Sequence, residues 1–112
     1  MYASPLLIML PFLDKRRTIQ PDQIVRLEAQ INYTLIWFRD GSHLLVALTI
    51  KRLFDRLPAE DFLRPHRKHV VNRRCVESIS PINYRLHLFT GETVVVSRRK
   101  LAGVRRQMRQ TV

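Results

Sequence analysis

The sequence predicts a mostly β domain with one short helix among its strands and a tail that can turn helical. Three observations lead there: apolar-rich segments of strand-forming residues, glycine-centred turn signals between them, and one apolar set at helical spacing closed by a proline. Residues 27–38 and 43–48 are the first pair of segments, and Arg39, Asp40, Gly41 and Ser42 between them read as a hairpin turn. Thr49 can then cap a helix in which Ile50, Leu53, Phe54 and Leu57 recur at helical spacing, and Pro58 stops it. Val70, Val71, Val76 and Ile79 mark a further extended region broken by Ser80 and Pro81. Residues 84–89 alternate strictly, with Tyr84, Leu86 and Leu88 on one face, and turn through Thr90, Gly91 and Glu92 into residues 93–96. From Ser97 onward Leu101, Val104 and Met108 form one helical stripe.

A chain of 112 residues supports one compact domain, so residues 1–112 are read as a single unit with a core at about 20–105. The apolar fraction of 46% is enough for a core, which argues against disorder. The longest apolar run, residues 5–13, is too short to span a membrane and reads as an extra strand that completes the sheet. A cytoplasmic protein is expected. The single Cys75 excludes an internal disulfide and a multi-cysteine zinc site, and His66, His69 and Cys75 lack a fourth ligand. No metal, cofactor or small-molecule substrate is implied.

Charge is unevenly distributed along the chain. Residues 1–61 hold eight bases and seven acids, whereas residues 62–112 hold twelve bases and only Glu77 and Glu92. Nearly all of the formal +11 therefore sits in the second half, which suits a polyanionic partner, nucleic acid first. No helix-turn-helix is predicted, so loops held by strands would have to make the contacts.

Three clusters offer the chemistry. Arg64, Pro65, His66, Arg67, Lys68 and His69 form an acid-free run ahead of Val70 and Val71. Arg67 can give two parallel donors to guanine O6 and N7, while Lys68 suits a phosphate; the plain alternative is a solvated turn. Ser97, Arg98, Arg99 and Lys100 leave a strand with three consecutive cations that a phosphate or base edge would relieve, or that remain a solvated basic turn. Asn32, Tyr33 and Thr34 interrupt an apolar stretch with hydrogen-bonding groups able to touch a base or a phosphate, though Tyr and Thr are also ordinary strand residues. Trp37 reads as core or sheet surface, and His43 and His87 as sheet-face residues. An enzyme is not expected: the basic half has no paired carboxylates, and three glycines supply neither a nucleophile elbow nor a phosphate-cradling loop.

The segment Arg64-Pro65-His66-Arg67-Lys68-His69-Val70-Val71-Asn72, led by Phe62, resembles the Phe-x-Arg-x-His-Arg-Ser-Tyr-x-Val-Asn core of the LytTR family of bacterial DNA-binding domains. Ile24-Val25-Arg26-Leu27-Glu28-Ala29, Asn32-Tyr33-Thr34, Asp40-Gly41, Leu86-x-Leu88, Gly91 and Val95-Val96-Ser97-Arg98-Arg99 match its other segments in order. Lys68 and His69 depart from the family's small hydroxyl and aromatic residues, so its base preference does not carry over; His69 can take the aromatic's packing place.

The resemblance implies an elongated stack of small antiparallel sheets with one short helix between them. It also implies a transcription regulator whose loops enter successive major grooves of double-stranded DNA, commonly with a second copy on an imperfect direct repeat. The resemblance puts Tyr33, Arg67 and Arg98 at the family's DNA-contacting positions, and together with their clusters Asn32, Tyr33, Arg67, Lys68, Arg98 and Arg99 are the expected DNA contacts. A receiver domain usually precedes the family's DNA-binding domain, and the short N-terminal segment here reads as a stand-alone regulator. Two other classes compete: an RNA-binding basic β module that stacks bases on Trp37, Tyr33 and Phe38, and a membrane- or protein-binding domain with an exposed apolar stripe beside its cations. The sequence displays no such stripe outside the tail helix.

Overall fold

The computed structural model describes residues 8–11 and 16–109, with side chains from residue 18 onward. Its strands are β1 (Ile8–Pro11), β2 (Arg16–Ile19), β3 (Ile24–Gln30), β4 (Tyr33–Phe38), β5 (His43–Val46), β6 (Phe62–His66), β7 (His69–Asn72), β8 (Val76–Ile79), β9 (Arg85–Leu88) and β10 (Thr93–Val95). Helix α1 (Ile50–Phe54) lies between β5 and β6, and α2 (Leu101–Arg109) follows β10. The fold is mostly β, as the sequence predicts. All pairings are antiparallel, in a two-stranded sheet β1-β2, a five-stranded sheet β5-β4-β3-β7-β6 and a three-stranded sheet β10-β9-β8.

The five-stranded sheet has a core on each face, which follows from the two-residue period of its strands. Leu27, Ile36, Val46, Phe62 and Val70 point to one face, where Leu48, Ile50, Leu53 and Leu57 cover them. Leu63 and Val71 point to the other, against Cys75, Leu86, Leu88, Val94 and Val96 of the small sheet and Val104 of α2. Val25 joins this second core because β3 bulges between Ile24 and Arg26, which shifts the alternation by one residue.

The predicted turns are in place. Gly41 at φ +88° and Gly91 at φ +91° take left-handed conformations that a side chain would strain. Asp40 accepts hydrogen bonds from the Ser42 hydroxyl at 2.6 Å and backbone N–H at 2.9 Å, which stabilise its charged form and lower its pKa. Thr49 caps α1 by accepting from the Arg52 N–H. The helix stops at Phe54, earlier than Pro58 implies; Leu57 follows in a turn yet stays buried with the core.

Three features of the strands also differ from the sequence reading. Residues 27–38 are not one strand segment: the chain reverses at Ile31 and Asn32, with Gln30 paired to Tyr33. Arg64, Pro65 and His66, the start of the acid-free run and assigned to no strand from the sequence, belong to the edge strand β6, which tolerates Pro65 because its register shifts between Leu63 and His66. The N-terminal segment does contribute a strand, but among the described residues β1 pairs with β2 in a separate sheet and does not complete the main one. Residues 5–7, 12 and 13 of that predicted strand lie outside the described residues.

Candidate nucleic-acid interface

Strand direction places the Asn32–Thr34 and Arg64–His69 clusters together. β3 runs toward Gln30 while β7 starts at His69 opposite Glu28, so the turn 31–32 and the turn 67–68 emerge from the same end of the sheet. The Ala29 N–H donates to the Lys68 carbonyl at 2.9 Å and ties them side by side. The Ser97–Lys100 cluster arrives from the small sheet. The Ser97 N–H donates to the Pro65 carbonyl at 2.9 Å, so the 3-10 turn Arg98–Lys100 leaves beside the end of β6.

The backbone of the 67–68 turn is fixed from inside. Arg64 Nη2 donates to the Arg67 carbonyl at 2.8 Å, and the Lys68 N–H donates to His66 Nδ1 at 3.1 Å. With the backbone held by His66 and Arg64, the side chains of Arg67 and Lys68 are left exposed to solvent. Asn32, Tyr33, Arg98 and Arg99 are exposed as well. Thr34 is not available: it is fully buried, and its hydroxyl donates to the Leu48 carbonyl at 2.8 Å.

The electrostatics favour an anion at this end. Arg64, Arg99 and Lys100 line one cleft with Phe54, Gly103, Val104 and Gln107. Burial of Lys100, then the facing charges of Arg64 and Arg99, lower its pKa, the mark of cations crowded without a counter-charge. Arg64 Nε and the Ser97 hydroxyl are buried and make no hydrogen bond among the described residues. The nearby acid Glu28 and the more distant Glu92 are both engaged by Arg26, at 3.0 Å and 2.8 Å. That guanidinium, 12% exposed, lies 5.0 Å from the Trp37 ring centre and joins the two sheets. Both carboxylates are thereby partly neutralised by Arg26.

His69 packs 5.5 Å from His66, ring centre to ring centre. Burial first, and the neighbouring His66 second, lower its pKa. Trp37 and His43 pack in a tilted pair, ring centres 4.6 Å apart, on the sheet face, as anticipated for both.

Sequence reasoning named Arg64 and Lys100 only as members of clusters; their cleft and Arg64's hold on the turn depend on tertiary contacts. It missed Ile31, the tip residue of the first turn, 98% exposed. Nothing local announces that tip, because neither Ile31 nor Asn32 is a glycine or proline. The structure also differs on apolar exposure: Ile31, Tyr33 and Leu45 are exposed together, lining one recess with Gln30 and Asn32, while the tail-helix stripe is packed against the second core.

No helix among the described residues is long and apolar enough to cross a membrane. A comparison with curated proteins finds no match. Among solved structures the chain is similar to the LytTr DNA-binding domain of a putative methyl-accepting/DNA response regulator from Bacillus cereus, at 21% identity and a TM-score of 0.77. The likeness covers 95% of this chain and 98% of that one and concerns the fold. The model of the LytTr DNA-binding domain matches residues 14–109, nearly all of the three-sheet architecture and all three loops, and on that match the chain belongs to the LytTR family of DNA-binding domains.

Proposed function

We propose that this protein is a sequence-specific regulator of transcription that binds duplex DNA through its loops, without catalysis, two copies occupying imperfect direct repeats. The observation that carries this reading is the convergence of three exposed polar and cationic loops at one end of the stacked sheets, tied by the Ala29–Lys68 and Ser97–Pro65 hydrogen bonds. Loops held at both ends by strands, or by a strand and a helix as Arg98–Lys100 is, are ordered before binding, so little ordering entropy opposes the complex. Arg67 and Arg98 are assigned to base edges, Lys68 and Arg99 to phosphates, and Asn32 and Tyr33 to the groove entered by the first turn. Such a protein acts in the cytoplasm, where a bacterial chromosome is. Base stacking on single-stranded RNA is disfavoured, since Arg26 covers Trp37 and Phe38 packs against the first core.

Two substitutions test the assignment. Arg67→Ala should weaken a cognate duplex by about 1–3 kcal/mol and relax preference at one position. Lys68→Ala should weaken all duplexes alike and reduce the salt slope by about one, against a wild-type slope of roughly −0.9 for each of about 4–6 phosphates. Both remove one positive charge, so equal losses on cognate and scrambled duplexes would reduce the turn to a generic cationic surface. Site selection from random duplexes tests the arrangement of copies; recovery of palindromes alone would refute direct repeats.

A further inference from the structure

Ile31 is the residue the fold has least reason to carry. It opens the two-residue turn between β3 and β4 with φ +26°, where a β-branched side chain is strained and Gly, Asn or Asp would not be. The strain is not compensated by packing, because the side chain is 98% exposed. Tyr33 and Leu45, 38% and 39% exposed, extend the apolar surface below it into a shallow recess. A strained, exposed apolar tip is unfavourable in the free protein and points to an interaction made at that tip.

The neighbourhood selects the partner. The adjacent turn presents Arg67 and Lys68, tied to this one through Ala29 and Lys68, and no acid lies on either turn. An apolar tip beside exposed cations fits a surface that is anionic outside and apolar within. In the major groove of duplex DNA the apolar group on display is the thymine C5-methyl, flanked by phosphates. We propose that Ile31 packs against a thymine methyl in the major groove, and that it sets the preference for one A·T pair. This rests on the duplex-DNA reading above and extends it from polar contacts to an apolar one.

The test uses the full chain and the duplex recovered by selection, with each thymine replaced in turn by uracil, which lacks only the methyl group. Wild-type protein should lose about fourfold in affinity at one position, the worth of one buried methyl group. Ile31→Gly should bind the thymine duplex at least that much more weakly, show no loss at that position on uracil substitution, and keep or raise Tm because the turn is relieved of strain. Equal binding of thymine and uracil duplexes by the wild type, unchanged discrimination by Ile31→Gly, or a lowered Tm would overturn the inference while leaving the DNA-binding reading intact. Failure to bind any duplex would overturn both.

Discussion

Asn72 stands in the segment that carries the family resemblance, yet its position argues for a structural task. It is 2% exposed at the far end of β7 from the cationic turns. Its Nδ2 donates to the Ile24 carbonyl at 2.8 Å, and its Oδ1 accepts from the Arg74 N–H at 2.9 Å, capping the 3-10 turn Arg73–Cys75. Asn72→Ala removes both bonds, each worth about 1 kcal/mol net, and leaves buried backbone groups short of a partner at a cost of about 1–3 kcal/mol. The sum, about 3–5 kcal/mol, is a large share of the roughly 5–15 kcal/mol that stabilises a domain. Tm should fall by roughly 10–25 °C. Asn72→Asp keeps the acceptor for Arg74 but sets a buried carboxylate oxygen against the Ile24 carbonyl, so it should cost more than Ala at pH 7 and recover as the pH falls. Urea unfolding of both variants measures this, with duplex affinity determined below their transitions. A loss under 0.5 kcal/mol in both, or a folded Asn72→Ala protein with DNA binding as impaired as that of Arg67→Ala, would refute the structural assignment.

Thr34→Val preserves the buried shape but removes the hydroxyl that serves the Leu48 carbonyl, and should cost about 1–2 kcal/mol in urea unfolding. His69 has its pKa lowered by burial, so the folded protein prefers it neutral while the unfolded chain protonates it near the ordinary value of about 6.5. Its contribution is complete above that value and is lost as the pH falls below it; His69→Tyr should flatten the decline of Tm between pH 7.5 and pH 5, and an unchanged decline would count against it. The hydrogen bond from Arg26 lowers the Glu92 pKa, so the stability it adds is present above the usual carboxylate value and lost as acid carries the pH through the lower folded value. Glu92 is 40% exposed, so Glu92→Gln should cost less than about 1 kcal/mol at pH 7 and nothing at low pH, as Tm at the two pH values would reveal.

Parts of this fold are legible because their causes are local. Gly41 and Gly91 mark their hairpins through the backbone conformation they permit, and Thr49 marks the start of α1 through its hydroxyl. Leu86 and Leu88 reveal β9 through alternation. The reversal at Ile31 and Asn32 is illegible because strand-like residues continue across it, and the turn is imposed by pairing of β3 with β4. β6 is hidden for a related reason: Arg64, Pro65 and His66 have loop composition, and only β7 beside them makes a strand. The site divides in the same way. The residue types in each cluster can be read directly, whereas Arg64's grip on the turn, the cleft with Lys100 and the exposed Ile31 require contacts from other elements.

By itself the sequence determined the mostly β class, the positions of two hairpins and one short helix, the concentration of positive charge after residue 61 and the family. These are properties of single residues and short periods, which act before any distant contact forms. Tertiary structure alone decided that β3 lies between β4 and β7, and so that the turns 31–32 and 67–68, far apart in sequence, share one end. It also decided that one guanidinium, Arg26, engages both Glu28 and Glu92. Those outcomes depend on which strands find one another in space, since closing a long loop costs entropy that only pairing and burial across the whole domain repay.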